Sequence, residues 1–173
     1  DQAEQRDATL SEPIAVLREW DFATGKDSVA MSLAHFYGMK YLDRGVAPEG
    51  LSGMEKIDYL AADTLPGERL EVFAETVAML ADDFGTWRTP WGEINRFQRL
   101  SGAIELEYDD EKPSLAVGMA NSGWGALADF GAKRREGTKR LYGDNGNSFV
   151  AVVEFGDRVT AKSILVGGQS NDP

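Results

Sequence analysis

The segment that most constrains the fold is "NSFVAVVEFGDRVTAKSILV", residues 147–166. Residues 149, 151, 153 and 155 are apolar on one face of the predicted strand, and Val150 and Val152 are apolar on the other. Such a pattern is typical of a strand inside a sheet that is covered on both sides. Gly156 and Asp157 then provide the turn to a second strand. The sequence therefore predicts a terminal hairpin whose first strand is central in a sheet.

The first half of the chain carries apolar residues at helical spacing. Ser11 is the predicted N-cap of the first helix, and Asp27 or Ser28 is the predicted N-cap of the second. The last of these helices is expected to end near Gly85. The predicted helices begin near Ser11, Val29, Met54 and Pro66.

The second half has the pattern of strands. The stretch "AIELEYDD" alternates strictly, and a second strand is expected over 114–119. Because helices come first and strands last, the fold class is predicted to be α+β, with a sheet between helical layers. We assign residues 1–86 to a mostly helical segment and residues 87–173 to a β-rich segment with a terminal hairpin.

Charge and composition exclude several functions. A net charge of -11 disfavours nucleic acid, and no apolar run approaches the ~20 residues that a membrane span needs. The one basic cluster, residues 133–135, is interpreted as a solvated turn. Because cysteine is absent, thiolate chemistry is excluded. A Ser-His-Asp triad would have to use His35, the only histidine.

Local motifs give no catalytic residue, metal site or cofactor. His35 lies one helical turn from Met31 and Met39, which favours a core or boundary position. Glu105 and Glu107 share one face of a predicted strand, and a carboxylate glycosidase is the least favoured of three hypotheses. "GDNGNS" lacks the order of a calcium loop and is interpreted as a turn rich in Asx residues.

The tryptophans permit a second hypothesis. Trp87, Trp91 and Trp124 could line a pocket for a sugar or an acyl group, and they are equally typical of a protein core. A non-catalytic ligand-binding or interaction module is therefore the alternative function. On the sequence alone, the two interpretations of these residues are equally good.

Four stretches resemble one family in its own order. "LREWDFATGKDSVAMSLAHFYG", "TPWGEINRFQRL", "GNSFVAVVEFGD" and "SILVGGQSNDP" are similar to segments of the large chain of penicillin-acylase-type enzymes. Together they span most of residues 17–173. The resemblance is to the C-terminal part of that large chain.

The resemblance implies an N-terminal-nucleophile amide hydrolase with a four-layer αββα fold. In such enzymes a precursor cleaves itself, and a new N-terminal Ser attacks the amide carbonyl with its own α-amine as the base. Backbone amides and an Asn side chain hold the oxyanion. Those catalytic groups match no position here, because they lie upstream of the Leu-x-x-Trp-Asp segment and residue 1 is Asp1.

We therefore expect the chain to be a late segment of a larger acylase, inactive alone. The implied partners are the small chain, the N-terminal part of the large chain and an acylated small-molecule substrate. Export to the periplasm or secretion is expected of the parent by resemblance. At the position of Asn95 many relatives carry His and some carry Asn, and the candidates for substrate binding are Trp91, Asn95 and Trp124. The terminal hairpin should expose a sheet edge, pair with another copy, or contact the rest of the parent.

Overall fold

A computed structural model describes residues 8–44, 47–100, 106–126 and 129–165 of the chain. The chain divides into two compact units. The first comprises Asp1–Ala23 and Asp27–Trp91, and the second comprises Thr24–Lys26 and Gly92–Pro173. Helices precede strands, and the predicted α+β class is confirmed. The division at residues 86 and 87 stays a prediction.

The first unit is helical. After a 3₁₀ turn at Ala8–Leu10, its helices are α1 (Ser11–Arg18), α2 (Val29–Asp43), α3 (Gly53–Ala62) and α4 (Pro66–Phe84). Helix α2 packs against α1, α3 and α4. Tyr41, Leu60 and Val72, one from each of α2, α3 and α4, form a buried apolar cluster.

Local capping explains where these helices begin and end. The Ser28 hydroxyl accepts a hydrogen bond from the Met31 amide at 3.1 Å and caps α2, as one of the two predicted caps. Ser52 and Glu55 form a reciprocal capping box at α3. Helix α4 ends at Gly85, which has a φ of 79°, as predicted. The prediction for Ser11 is wrong: it is the first residue of α1, and Leu10 occupies the cap position.

The second unit contains the strands. Helix α5 (Trp91–Ile94) begins at the last residue of the first unit and leads directly into β1. The strands are β1 (Asn95–Phe97), β2 (Leu115–Ala116), β3 (Phe130–Arg134), β4 (Leu141–Gly146), β5 (Phe149–Glu154) and β6 (Thr160–Leu165). One sheet has the order β2-β1-β4-β3, and β5 with β6 forms a separate ribbon.

The four-stranded sheet is mixed. Strand β1 runs parallel to β4, with Asn95 opposite Leu141, and antiparallel to β2. Strands β3 and β4 are antiparallel, with an irregular register between Gly131 and Ala132. This β3–β4 hairpin was not predicted, because its glycine-rich sequence was interpreted as turns.

The strand predicted over "AIELEYDD" is wrong for residues 106–109, which are irregular, while residues 101–105 lie outside the described residues. The side chain of Gln98 holds the irregular segment 106–109 by hydrogen bonds to the backbone of Asp109. Its Nε2 donates to the Asp109 carbonyl at 2.7 Å, and its Oε1 accepts from the Asp109 amide at 3.0 Å. The strand expected over 114–119 is only the two residues of β2.

The terminal hairpin is confirmed, with Phe149 opposite Leu165 and Glu154 opposite Thr160. The prediction that its first strand is central in a sheet is wrong for the described residues, where β5 pairs with β6 alone. Its expected cover on both faces is not present among the described residues. Val152 is 70% exposed and Phe155, just after β5, is 83% exposed. The β5–β6 ribbon therefore presents apolar side chains to solvent. Of the three outcomes expected from the sequence, this agrees with an exposed hairpin.

Candidate functional site

A pocket of about 330 Å³ lies in the second unit, where the end of β4 meets the start of β5. It is lined by Phe97, Arg99, Tyr108, Met119, Asp129, Phe130, Val150 and residues 143–148. Its volume is at the lower end of the range for small-molecule sites. Rings and aliphatic groups form most of the side-chain lining.

Charged side chains surround this pocket in a defined arrangement. Asp144 accepts a hydrogen bond from the Arg135 guanidinium, and the Lys133 Nζ lies 3.6 Å from its Oδ2. The hydrogen bond from Arg135 is the main reason why the pKa of Asp144 is lowered. The Arg135 guanidinium also lies 4.6 Å from the centre of the Tyr108 ring. The carboxylate is thus fixed and ionised at neutral pH.

The pocket combines hydroxyl and carboxylate groups with apolar side chains. Its lining includes the hydroxyls of Ser148 and Tyr108, and the lining residues within the described ranges include no histidine or lysine. The pocket can hold an apolar group beside the Arg99 side chain and the fixed carboxylate of Asp144.

Asn95, a sequence candidate, is 1% exposed at the start of β1. Its Nδ2 donates to the carbonyls of Val117 and Met119, at 2.9 and 2.8 Å. Its Oδ1 is buried without a hydrogen-bond partner among the described residues. The amide therefore joins β1 to the segment after β2. Whether Asn95 also contacts a substrate stays a prediction.

Trp91 is buried in the first unit. It is 2% exposed, and the centre of its ring lies 4.7 Å from that of His35. Burial lowers the pKa of His35 to about 4, so the imidazole is neutral at pH 7. These contacts agree with a core position for His35, and they give Trp91 a packing role.

The other tryptophans have separate environments. Trp124 is half-buried in the 3₁₀ helix Ser122–Trp124. The guanidinium of Arg88 lies 4.4 Å from the centre of the Trp87 ring. Neither Trp124 nor Asn95 lines the pocket of the second unit. The pocket residues were missed because they come from five separate stretches of sequence.

The structure also bears on the interpretations of the basic cluster, residues 133–135, and of the pair Glu105 and Glu107. The basic cluster is not a turn: Lys133 and Arg134 belong to β3, and the side chain of Arg135 is only 22% exposed. Glu107 is 95% exposed and lies 3.7 Å from the Lys112 ammonium, while Glu105 lies outside the described residues. The glycosidase hypothesis receives no support from Glu107.

No cluster of three or more His, Asp or Glu side chains suited to a metal ion occurs in the ranges that the structure covers. In the same part of the chain, no helix combines the length and apolarity required to cross a bilayer.

The architecture defines an α+β protein with a mixed sheet, an antiparallel ribbon and a pocket in the second unit. The family model for penicillin amidase matches residues 1–173. The chain therefore belongs to the penicillin amidase family, whose members are acylase-type amide hydrolases. A search of curated proteins finds no match.

Proposed function

We propose that this chain is a C-terminal segment of the large chain of a penicillin-acylase-like enzyme that cleaves linear amides. The nucleophile of that enzyme is an N-terminal Ser outside this chain. The segment completes an N-terminal-nucleophile hydrolase fold around a catalytic centre that other segments supply. The observation that carries this proposal is the apolar β5–β6 ribbon, which has the sequence of a covered strand and lies exposed.

The ribbon is poorly suited to a free surface. Phe149, Val152 and Val153 are 59%, 70% and 44% exposed, and the rest of β5 has one charged residue, Glu154. Native edge strands normally carry charges, prolines or bulges that prevent pairing. Burying one such side chain contributes about 1.5–3 kcal/mol, so covering this ribbon would favour association with a partner by several kcal/mol.

The reactive groups of the chain support the same proposal. Cysteine is absent, and the single imidazole, that of His35, is buried beside Trp91. In the proposed enzyme, the Ser hydroxyl attacks the amide carbonyl and its α-amine takes the proton, which passes to the leaving amine. Water then hydrolyses the acyl-enzyme, which releases the carboxylic acid and restores the Ser hydroxyl. This chain contributes packing and the rim of the site.

The test is reconstitution with the remaining segments of the parent enzyme. A chromogenic acyl-anilide is offered to this chain alone, to the remaining segments alone and to the mixture. We expect turnover only in the mixture. Turnover by this chain alone would contradict the proposal that the nucleophile lies elsewhere.

A matched pair of variants tests the role of the ribbon. Val152→Lys places a charge on the ribbon, whereas Met54→Lys places the same charge at a residue of α3 that is 65% exposed. We expect Val152→Lys to weaken association with the remaining segments at least tenfold and Met54→Lys to leave it unchanged. Equal effects of the two variants would show that the ribbon is not the contact surface.

Two further proposals follow from the family. The remaining small and large chain segments are the proposed partners, with self-association through the ribbon as the alternative when they are absent. The parent enzyme is proposed to act in the periplasm or outside the cell. Fractionation of producing cells, with acylase activity followed in each fraction, tests this location.

A further inference from the structure

The pocket of the second unit continues into the apolar surface of the β5–β6 ribbon. Val150 belongs to β5 and also lines the pocket, where it is half-buried. Val152 lies two residues further along β5, so its side chain is on the same face of the strand, about 7 Å away. Val152 is 70% exposed. One apolar track therefore runs from the wall of the pocket out onto the ribbon.

The walls of the pocket are apolar side chains that the described residues leave partly uncovered. Phe97, Tyr108 and Phe130 are half-buried, and Met119 is 36% exposed. A volume of about 330 Å³ accommodates one bulky apolar side chain and the backbone next to it. In many protein interfaces, side chains that fill such pockets contribute most of the binding energy.

Backbone hydrogen bonds hold the rim of the pocket in place. The Asn147 amide donates to the Asp129 carbonyl at 3.1 Å, and the Asn147 Oδ1 accepts from the Asp129 amide. The Phe130 amide donates to the Ala120 carbonyl at 2.9 Å. Because a preformed pocket loses little conformational entropy on binding, this rim is suited to receive a partner.

Three charged side chains line the pocket, and their environments differ. Asp144 is bound by the Arg135 guanidinium, and the Asp129 Oδ1 accepts from the Ser122 amide at 2.6 Å. Arg99 is exposed and forms no ion pair with any residue of the ranges that the structure describes. The charged group that complements the rim of the pocket is therefore a carboxylate, which a guanidinium binds well.

We propose that the pocket is the anchor site for one segment of the remaining acylase. That segment inserts a bulky apolar side chain between Phe97, Tyr108 and Phe130, places an adjacent Asp or Glu at Arg99, and continues over Val152. A small molecule that filled the pocket would leave Val152 exposed, whereas a chain segment covers both. This inference rests on the proposed function, since the partner is the rest of the parent enzyme, and it adds the anchor point and its chemistry.

Filling the pocket tests the anchor in the reconstitution with the remaining segments. Ser148 lines the pocket and is exposed outside the strands, so Ser148→Trp adds a ring there. Met54→Trp adds the same ring on α3, at a residue that is 65% exposed. We expect the dissociation constant of the complex to rise at least tenfold for Ser148→Trp and to stay unchanged for Met54→Trp.

Reversing the charge of Arg99 tests the second element of the anchor. Arg99→Glu should weaken association about tenfold at low ionic strength and less at high ionic strength, because salt screens exposed charges. Arg99→Lys keeps the charge and should retain most of the affinity. Lys56→Glu is the control, since it makes the same change of charge at an exposed residue of α3.

Oxidation by hydrogen peroxide reports on the pocket of the wild type without any substitution. Met119 lines the pocket, and Met54 is the internal reference. In the complex, we expect the sulfoxide of Met119 to form at least tenfold more slowly than in the free chain, and that of Met54 to form at the same rate. Equal oxidation of Met119 in both samples would overturn the anchor site, even if Ser148→Trp does not fold.

The outcomes separate this inference from the proposed function. If the wild type associates and restores acyl-anilide turnover, while Ser148→Trp and Arg99→Glu bind as the wild type does, the anchor site is wrong and the proposed function stands. Unchanged association with a raised KM for the acyl-anilide would instead assign the pocket to a small molecule and also overturn the anchor. If the wild type does not associate with the remaining segments, both proposals are wrong.

Discussion

His35 shows how one buried side chain links stability to pH. Burial lowers its pKa from 6.5 to about 4, so the unfolded chain binds this proton more readily than the folded chain. The stability that His35 contributes is complete above pH 6.5 and is lost as the pH falls towards 4. The shift corresponds to about 3 kcal/mol.

We predict that the free energy of unfolding of the wild type falls between pH 6.5 and pH 4 more steeply than that of His35→Phe. The replacement keeps a ring beside Trp91 and removes the titrating group. Urea unfolding across this range, in wild type and variant, gives the difference. Parallel curves would show that the His35 imidazole is not buried in the neutral form.

Asn95 supports a prediction about the sheet. Leucine at this position would remove both hydrogen bonds to the carbonyls of Val117 and Met119 and leave those acceptors unsatisfied. The expected loss is about 2–4 kcal/mol. Asn95→Asp should cost at least as much at pH 7, because a carboxylate would face two carbonyl oxygens.

Chemical denaturation of both variants measures this effect. Asn121→Asp is the matched control, since the Asn121 Oδ1 accepts from the Gly123 amide at 2.8 Å and a carboxylate oxygen can replace it. The control should stay within about 0.5 kcal/mol of wild type. A similar small effect for Asn95→Leu would mean that the two hydrogen bonds contribute little.

At the scale of elements, the helices were predictable and most of the mixed sheet was not. The extents of α2 and α4 follow from local periodicity, from Pro66 and from Gly85, all of which lie within the helices or at their ends. The β3–β4 hairpin depends on contacts between strands. The Phe130 ring lies over Gly143, which a pattern of neighbouring residues cannot show.

The cap of α3 gives a prediction of its own. Ser52→Ala removes the acceptor for the Glu55 amide and should cost about 1 kcal/mol, whereas Ser52→Asp should retain most of the stability because Asp also caps helices. Thermal unfolding of the two variants checks the difference. Equal melting temperatures would show that the capping box does not hold the start of α3.

At the scale of the whole molecule, the sequence order of four stretches indicated the family, and the family model confirms it. The pocket could not be predicted in the same way, because Arg99, Tyr108, Phe130 and Val150 are brought together only by the fold of the second unit. The ribbon was predicted as a hairpin, while its exposure could be decided only from coordinates.

Covalent labelling tests the central proposal most directly. A serine-reactive sulfonyl fluoride is added to this chain alone and to the acylase reconstituted with its remaining segments, and each chain is then weighed by intact mass spectrometry. We predict that this chain stays unmodified in both samples, while one segment of the reconstituted enzyme gains a single label as its activity is lost. A stoichiometric label on this chain, with acyl-anilide turnover abolished, would contradict the proposal.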